Sequence, residues 1–187
     1  MQHANLDPSP WVLRWAPLIA PGGAVLDLAC GAGRHARSLA ARGHSVLALD
    51  RDRDALAGLA GVNGIEAVYA DLEDGSPWPL ADRRFAAVIV VDYLHRPLFP
   101  ALAGALADGG VLVYETFAAG NERFGKPSNP QFLLRPGELL EAFAGVLRLV
   151  AFEQGRVERP KPALIQRLCA LRGDHPAARI DACGARD

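Results

Sequence analysis

Four acids, Asp27, Asp50, Asp71 and Asp92, recur along the chain around a Gly31-x-Gly33 pair, a pattern suited to holding a small polar ligand. Asp27 sits inside the apolar run Val25–Leu28, the two glycines follow it, and Asp50 and Asp71 each close a later apolar run. Glycine reaches φ > 0 without penalty and lets the backbone approach a ligand closely. The amides that open a following helix have no intrahelical partners and carry the positive end of its dipole. A ligand can therefore lie directly on such a turn.

A carboxylate beside the turn disfavours a pyrophosphate and favours a ligand that bears an ammonium group and no phosphate. S-adenosylmethionine fits that description. Asp50 offers two oxygens for a vicinal ribose diol. Asp71 and Leu72 could meet the adenine through its amino group and its face, and Arg34 and His35, at the helix start, could contact the methionine carboxylate. Ala29, Arg51, Val91 and Asp92 flank these positions and complete the candidate cofactor set with Asp27, Gly31 and Gly33. Two other readings stay open at this point. Gly31-x-Gly33-x-x-Ala36 followed by Asp50 also fits the dinucleotide fingerprint of an NAD(P)-dependent oxidoreductase. A non-catalytic module that binds the cofactor and signals to a partner would carry the same residues.

Methyl transfer from a sulfonium chiefly needs a nucleophile brought to the methyl at the right distance and angle. Candidate catalytic residues lie just after the fourth apolar run, in Asp92-Tyr93-Leu94-His95, because ligands of open α/β sheets bind beyond the carboxyl ends of the strands. His95 could act as a general base and Tyr93 could orient the substrate. The competing role for His95 is capping the helix that follows. Glu115 and Thr116 form a second candidate pair, and Asn121, Glu122, Arg123 and Asn129 could close over a substrate. Cys30 reads as a small buried hydrophobe.

The formal net charge of −1 gives no basic footprint for nucleic acid. No Asn-Pro-Pro-Tyr signature follows the fourth apolar run, where the chain reads Val91-Asp92-Tyr93-Leu94. Both features favour a small-molecule acceptor. Cys30, Cys169 and Cys183 are odd in number and far apart, which argues against a disulfide framework and against a metal site and fits a reducing, cytoplasmic setting. The first ten residues lack the pattern of a secretory signal, and the longest apolar run, Phe85 to Val91, is too short to span a bilayer. The expectation is a soluble monomer or homodimer.

The elements that must position these residues follow from hydrophobic periodicity and glycine punctuation. A helix over about residues 9–20 precedes a strand at Val25–Leu28. Arg34–Arg42, Asp52–Ala60, Leu98–Ala107 and Pro136–Ala144 read as helices. Ser45–Leu49, Ile65–Ala70, Phe85–Val91 and Val111–Thr116 read as strands, the last preceded by a turn at Asp108-Gly109-Gly110. Alternation of this kind predicts an α/β fold whose mostly parallel sheet is covered on both faces. Val146–Glu153 and Pro162–Leu171 are spaced for an antiparallel hairpin at the sheet edge. Phe117–Arg135 shows no regular pattern and is expected to be a binding loop or lid. One domain over residues 1–171 is expected, with a flexible tail over 172–187.

The successive motifs VLDLACGAGRHA, LALDRD, YADLED, FAAVIVVDYLH and LADGGVLVYETF resemble those of the class I S-adenosylmethionine-dependent methyltransferases. GRHARSLAARGHSVLALDRD and YETFAAGNERFGKPSNPQFLL further resemble the small tellurite-resistance (TehB-like) bacterial methyltransferases. The resemblance covers roughly Trp11 to Leu171. It implies a Rossmann-like seven-stranded sheet in the order 3-2-1-4-5-7-6 with strand 7 antiparallel. It also implies that Asp27, Gly31 and Gly33 line the methionine part, Asp50 the ribose, and Asp71 and Leu72 the adenine. The acceptor classes expected are thiols and metalloid oxyanions. The chain departs from the family at Ala29, where glycine is frequent.

Overall fold

The computed structural model describes residues 7–175. Its strands are β1 (Ala24–Leu28), β2 (Ser45–Asp50), β3 (Ile65–Tyr69), β4 (Phe85–Val91), β5 (Leu106–Phe117), β6 (Arg148–Val157) and β7 (Ala163–Leu171). They form one sheet in the order β3-β2-β1-β4-β5-β7-β6. Strands β1 to β5 pair in parallel, and β7 runs antiparallel to both neighbours. A dinucleotide-binding sheet has the order 3-2-1-4-5-6 with no such insertion. The oxidoreductase reading thus lacks its fold.

Alternation along the central strands divides the core. Leu26 and Leu28 of β1 pack with Val88 and Val90 of β4 on one face. There they meet α4 (Phe99–Ala105) and α5 (Glu138–Phe143) through Leu102, Leu139 and Phe143. Val25, Ala87 and Ile89 face the other side, under α1 (Pro10–Trp15), α2 (Arg34–Ala40) and α3 (Arg53–Ala57), whose Trp11, Leu39 and Leu56 fill that layer. Asp27 lies between Leu26 and Leu28 in sequence, so the period of two turns it toward α2.

The helices are shorter than periodicity predicts. Pro17 lacks an amide hydrogen, and the first helix gives way after Trp15 to a 3-10 turn at Ala16–Leu18. The expected turn Asp108-Gly109-Gly110 is instead a bulge inside β5, which starts at Leu106. Register slips there, from Phe85 opposite Leu106 to Ala87 opposite Val111. Gly109 has φ of 72°, and a Cβ on Gly110 would lie 2.9 Å from the Phe85 carbonyl oxygen, so the slip needs both glycines. The antiparallel hairpin is present, but only β6 occupies the sheet edge. Arg172, expected in a loose tail, still exchanges backbone hydrogen bonds with Gly109 and Gly110. Residues 176–187 of that tail, including Cys183, lie outside the described residues. No helix among the described residues is long and apolar enough to cross a membrane.

Candidate functional site

The carboxyl ends of β1, β2, β4 and β5 open onto a cleft of about 360 Å³, within the roughly 300–1,000 Å³ typical of small-molecule sites. Of the residues singled out in the sequence, Ala29, Asp50, Arg51, Asp71, Leu72, Asp92 and Tyr93 line it, as does Thr116. Four carboxylates, those of Asp50, Asp71, Glu73 and Asp92, stand there against one guanidinium, that of Arg51. Such a cleft attracts a cation and offers little to a pyrophosphate.

Asp50, at the end of β2, accepts the Gly31 N–H at Oδ2 (2.7 Å) and the Asp52 N–H at Oδ1 (2.8 Å). It thereby ties the glycine turn to the next loop, and each oxygen keeps a second lone pair for a ligand hydroxyl. Asp71 Oδ1 accepts the Glu73 N–H at 2.9 Å. An Arg51 nitrogen stands 4.0 Å from Asp71 and 3.9 Å from Glu73, a loose bridge on a largely exposed side chain. Tyr93 turns its phenol to Glu73, and burial together with that carboxylate pushes its pKa up. A phenol held so firmly protonated positions by hydrogen bonding and does not serve as a base near neutral pH.

Other expected site residues lie elsewhere. Asp27 is buried beneath the turn, and its Oδ2 accepts the Ala36 N–H at 2.9 Å, capping α2 from β1. Gly33 opens α2 with φ of 75°, and its α-carbon faces Leu59. Gly31 and Val91 support the turn and the end of β4 without lining the cleft. Arg34 reaches away to Asp92 Oδ2 at 3.0 Å and to the Asp7 carbonyl. His35 is buried, and its Nε2 accepts the Ser9 N–H at 3.1 Å, so it is not placed for a ligand carboxylate. His95 precedes the 3-10 turn Arg96–Leu98, does not line the cleft, and makes no side-chain cap there. Asn121 holds the Pro127 carbonyl and the Leu164 N–H, while Asn129 caps Gln131. These loop amides shape the loop itself. Its apolar residues Pro127 and Phe132, which sequence reasoning passed over, form the cleft wall.

Glu73 was also missed, although the acidic run Asp71-Leu72-Glu73-Asp74 was a usable signal. Ala29 sits at φ of 53°, a left-handed conformation costing a non-glycine residue roughly 1–2 kcal/mol. Ala29→Gly is therefore expected to raise unfolding stability by about 0.5–1 kcal/mol after glycine's own entropic cost. Urea denaturation checks this, and a lowered midpoint would show that Ala29 is unstrained.

Burial pushes the Asp27 pKa up to about 7, against the Ala36 amide and Arg34, and pushes that of His35 down to about 3. Because His35 Nε2 accepts a hydrogen bond, its proton is on Nδ1, which lies 3.9 Å from Asp27 Oδ1. The two shifts oppose one another in their effect on stability. The raised carboxyl pKa favours folding at low pH and loses that contribution between about pH 4 and pH 7. The lowered imidazole pKa favours folding above about pH 6.5 and loses it as pH falls toward 3. In the native protein the slopes nearly cancel. Asp27→Asn removes one of them, so its stability is expected to rise with pH between 4 and 6, by at most about 1.4 kcal/mol per pH unit. Urea midpoints at three pH values test this, and a variant as flat as the wild type would contradict it.

A second, smaller cavity of about 140 Å³ adjoins the cleft and shares Asp92 and Phe117 with it. Its walls come from Asp7–Pro10, from Glu115 of β5 and from the β6–β7 turn.

Residues 25–110 match a family model described as a methyltransferase domain. No curated protein matches the chain in sequence. TehB from Haemophilus influenzae superposes with a TM-score of 0.71 at 17% identity over 89% of this chain, which spans 63% of that protein's length. A TehB-like S-adenosylmethionine-dependent methyltransferase from Corynebacterium glutamicum gives a TM-score of 0.61 at 21% identity, covering 84% of this chain and 86% of that one. An S-adenosylmethionine-dependent methyltransferase from Mesorhizobium loti gives 0.67 at 20% identity, over 90% of this chain and all of the other. The methyltransferase-domain match runs from β1 into β5 and takes in less than half of the chain, and over most of its length the chain is similar in fold to S-adenosylmethionine-dependent methyltransferases, TehB-like proteins among them.

Proposed function

We propose that the protein transfers a methyl group from S-adenosylmethionine to a small-molecule acceptor, a thiol or a metalloid oxyanion. The observation that carries this reading is the charge of the cleft: four carboxylates and one guanidinium at the strand ends, suited to a sulfonium and an ammonium and unsuited to phosphates. In this reading Asp50 takes the ribose hydroxyls with its free lone pairs. Asp71 accepts from the adenine amino group, and Leu72 packs on the ring. Ala29, at the head of the glycine turn, lies along the methionine part. Asp27 acts one layer down, by fixing the start of α2.

Tyr93 and Asp92 line the cleft at the end of β4, and in this reading they flank the methyl. They orient the acceptor and exclude water. His95 has no cleft contact to support its place as a base. A crystal structure with S-adenosylhomocysteine tests these roles. The expected density puts the ribose at Asp50 and the adenine at Leu72, and a nucleoside bound elsewhere would overturn them.

A further inference from the structure

The smaller cavity has the opposite charge balance to the cleft. Arg34, Arg159, Lys161 and Arg167 face Asp7, Asp92 and Glu115 across it. Arg34 is paired with Asp92 at 3.0 Å, and Arg167 with Glu153 and, at 3.5 Å, with Glu115. Arg159 and Lys161, on the β6–β7 turn, make no ion pair among the described residues. The Lys161 ammonium stands 6.0 Å from the centre of the Phe117 ring, the wall shared with the cleft. At the inner end, Glu115 is largely buried, with Oε1 accepting from Ser9 Oγ at 2.7 Å and Oε2 reached only distantly by Arg167. That carboxylate retains lone pairs for a donor and would repel an anion.

We propose that this cavity is the acceptor site, and that it takes a small carboxylate-bearing molecule whose anion is seated by Lys161 and Arg159 and whose N–H, O–H or S–H nucleophile faces Glu115. The inference rests on the methyltransferase reading and revises its acceptor: thiols are kept, amines and phenols are admitted beside them, and a bare oxyanion is excluded. Glu115 takes the proton that the nucleophile sheds as its lone pair bonds to the methyl carbon. The electron pair of the broken carbon–sulfur bond stays on sulfur, and the products are the methylated acid and S-adenosylhomocysteine. Burial and the neighbouring Asp92 raise the Glu115 pKa, while Ser9 and Arg167 oppose the rise. A base held in that way keeps a stronger pull on the proton than an exposed glutamate.

The test measures S-adenosylhomocysteine release from S-adenosylmethionine with small thiol, amine and phenol acids, each paired with its neutral amide, alongside tellurite and selenite. At least one acid is expected to show a kcat/KM tenfold or more above its amide. Lys161→Glu, a surface change, is expected to abolish that preference through KM. Glu115→Gln, checked for folding by its thermal midpoint, is expected to lower kcat at least tenfold. It should also remove the limb along which activity falls as pH drops. Amides or oxyanions that are turned over as well as the acids would overturn the proposal, as would unchanged kinetics in both variants. So would a protein that binds S-adenosylhomocysteine and methylates none of the acids. Failure to bind S-adenosylhomocysteine at all would instead defeat the methyltransferase reading, and this inference with it.

Discussion

Replacing Asp50 with alanine is expected to weaken S-adenosylhomocysteine binding at least tenfold, about 1.4 kcal/mol or more. Two losses add in this variant. In the proposed complex the ribose hydroxyls lose their acceptor, and buried donors left unpaired cost about 1–3 kcal/mol. The turn itself also loosens, because the Gly31 and Asp52 amides both donate to this carboxylate. Asp50→Asn keeps one acceptor oxygen and is expected to fall between the two. Calorimetric titration of the three proteins measures the series. Unchanged affinity in the alanine variant would show that the ribose binds elsewhere.

Gly33→Ala is expected to destabilise the fold by about 2–3 kcal/mol, whereas Gly31→Ala costs about 1–2 kcal/mol. Both glycines have positive φ, 54° at Gly31 and 75° at Gly33, so both variants carry backbone strain. Their surroundings differ. A Cβ on Gly31 meets nothing within 4 Å, while one on Gly33 would stand 2.5 Å from a Leu59 methyl. Leu59 is buried in the layer under α1, α2 and α3, so a shift of its side chain disturbs close packing. Urea unfolding of both variants resolves the difference, and equal losses would mean that the Leu59 contact is easily relieved.

These glycines show what was legible in the sequence and what was not. The strand, turn and helix from Val25 to Ala40 follow from the sequence, because buried strands and glycine turns are local signals. The sheet order followed from the family resemblance, and the antiparallel hairpin from chain spacing alone. The facing of each residue was less accessible. Gly33 in a Gly-x-Gly motif reads as a ligand contact, and only the packing of α3's end against it shows that Leu59 fills that side. Asp27 likewise reads as a ligand for a cation. Its burial beneath α2 comes from the strand's period of two meeting a helix that sequence periodicity does not place in space. The helix lengths erred for a related reason. Pro17 and the short apolar stripe of α3 leave the chain in turns where a pattern alone extends the helix. Glu73, Pro127 and Phe132 come to the cleft through non-local contacts of a polar run and a loop, where hydrophobic periodicity carries no information.

The acidic cleft at the strand ends suits a sulfonium nucleoside and not a dinucleotide. Isothermal titration of the intact protein with S-adenosylhomocysteine, and in parallel with NADH, tests it most directly. Saturable binding of S-adenosylhomocysteine with no heat from NADH is the predicted result. No binding of S-adenosylhomocysteine at millimolar concentration, or saturable binding of NADH in its place, would contradict it.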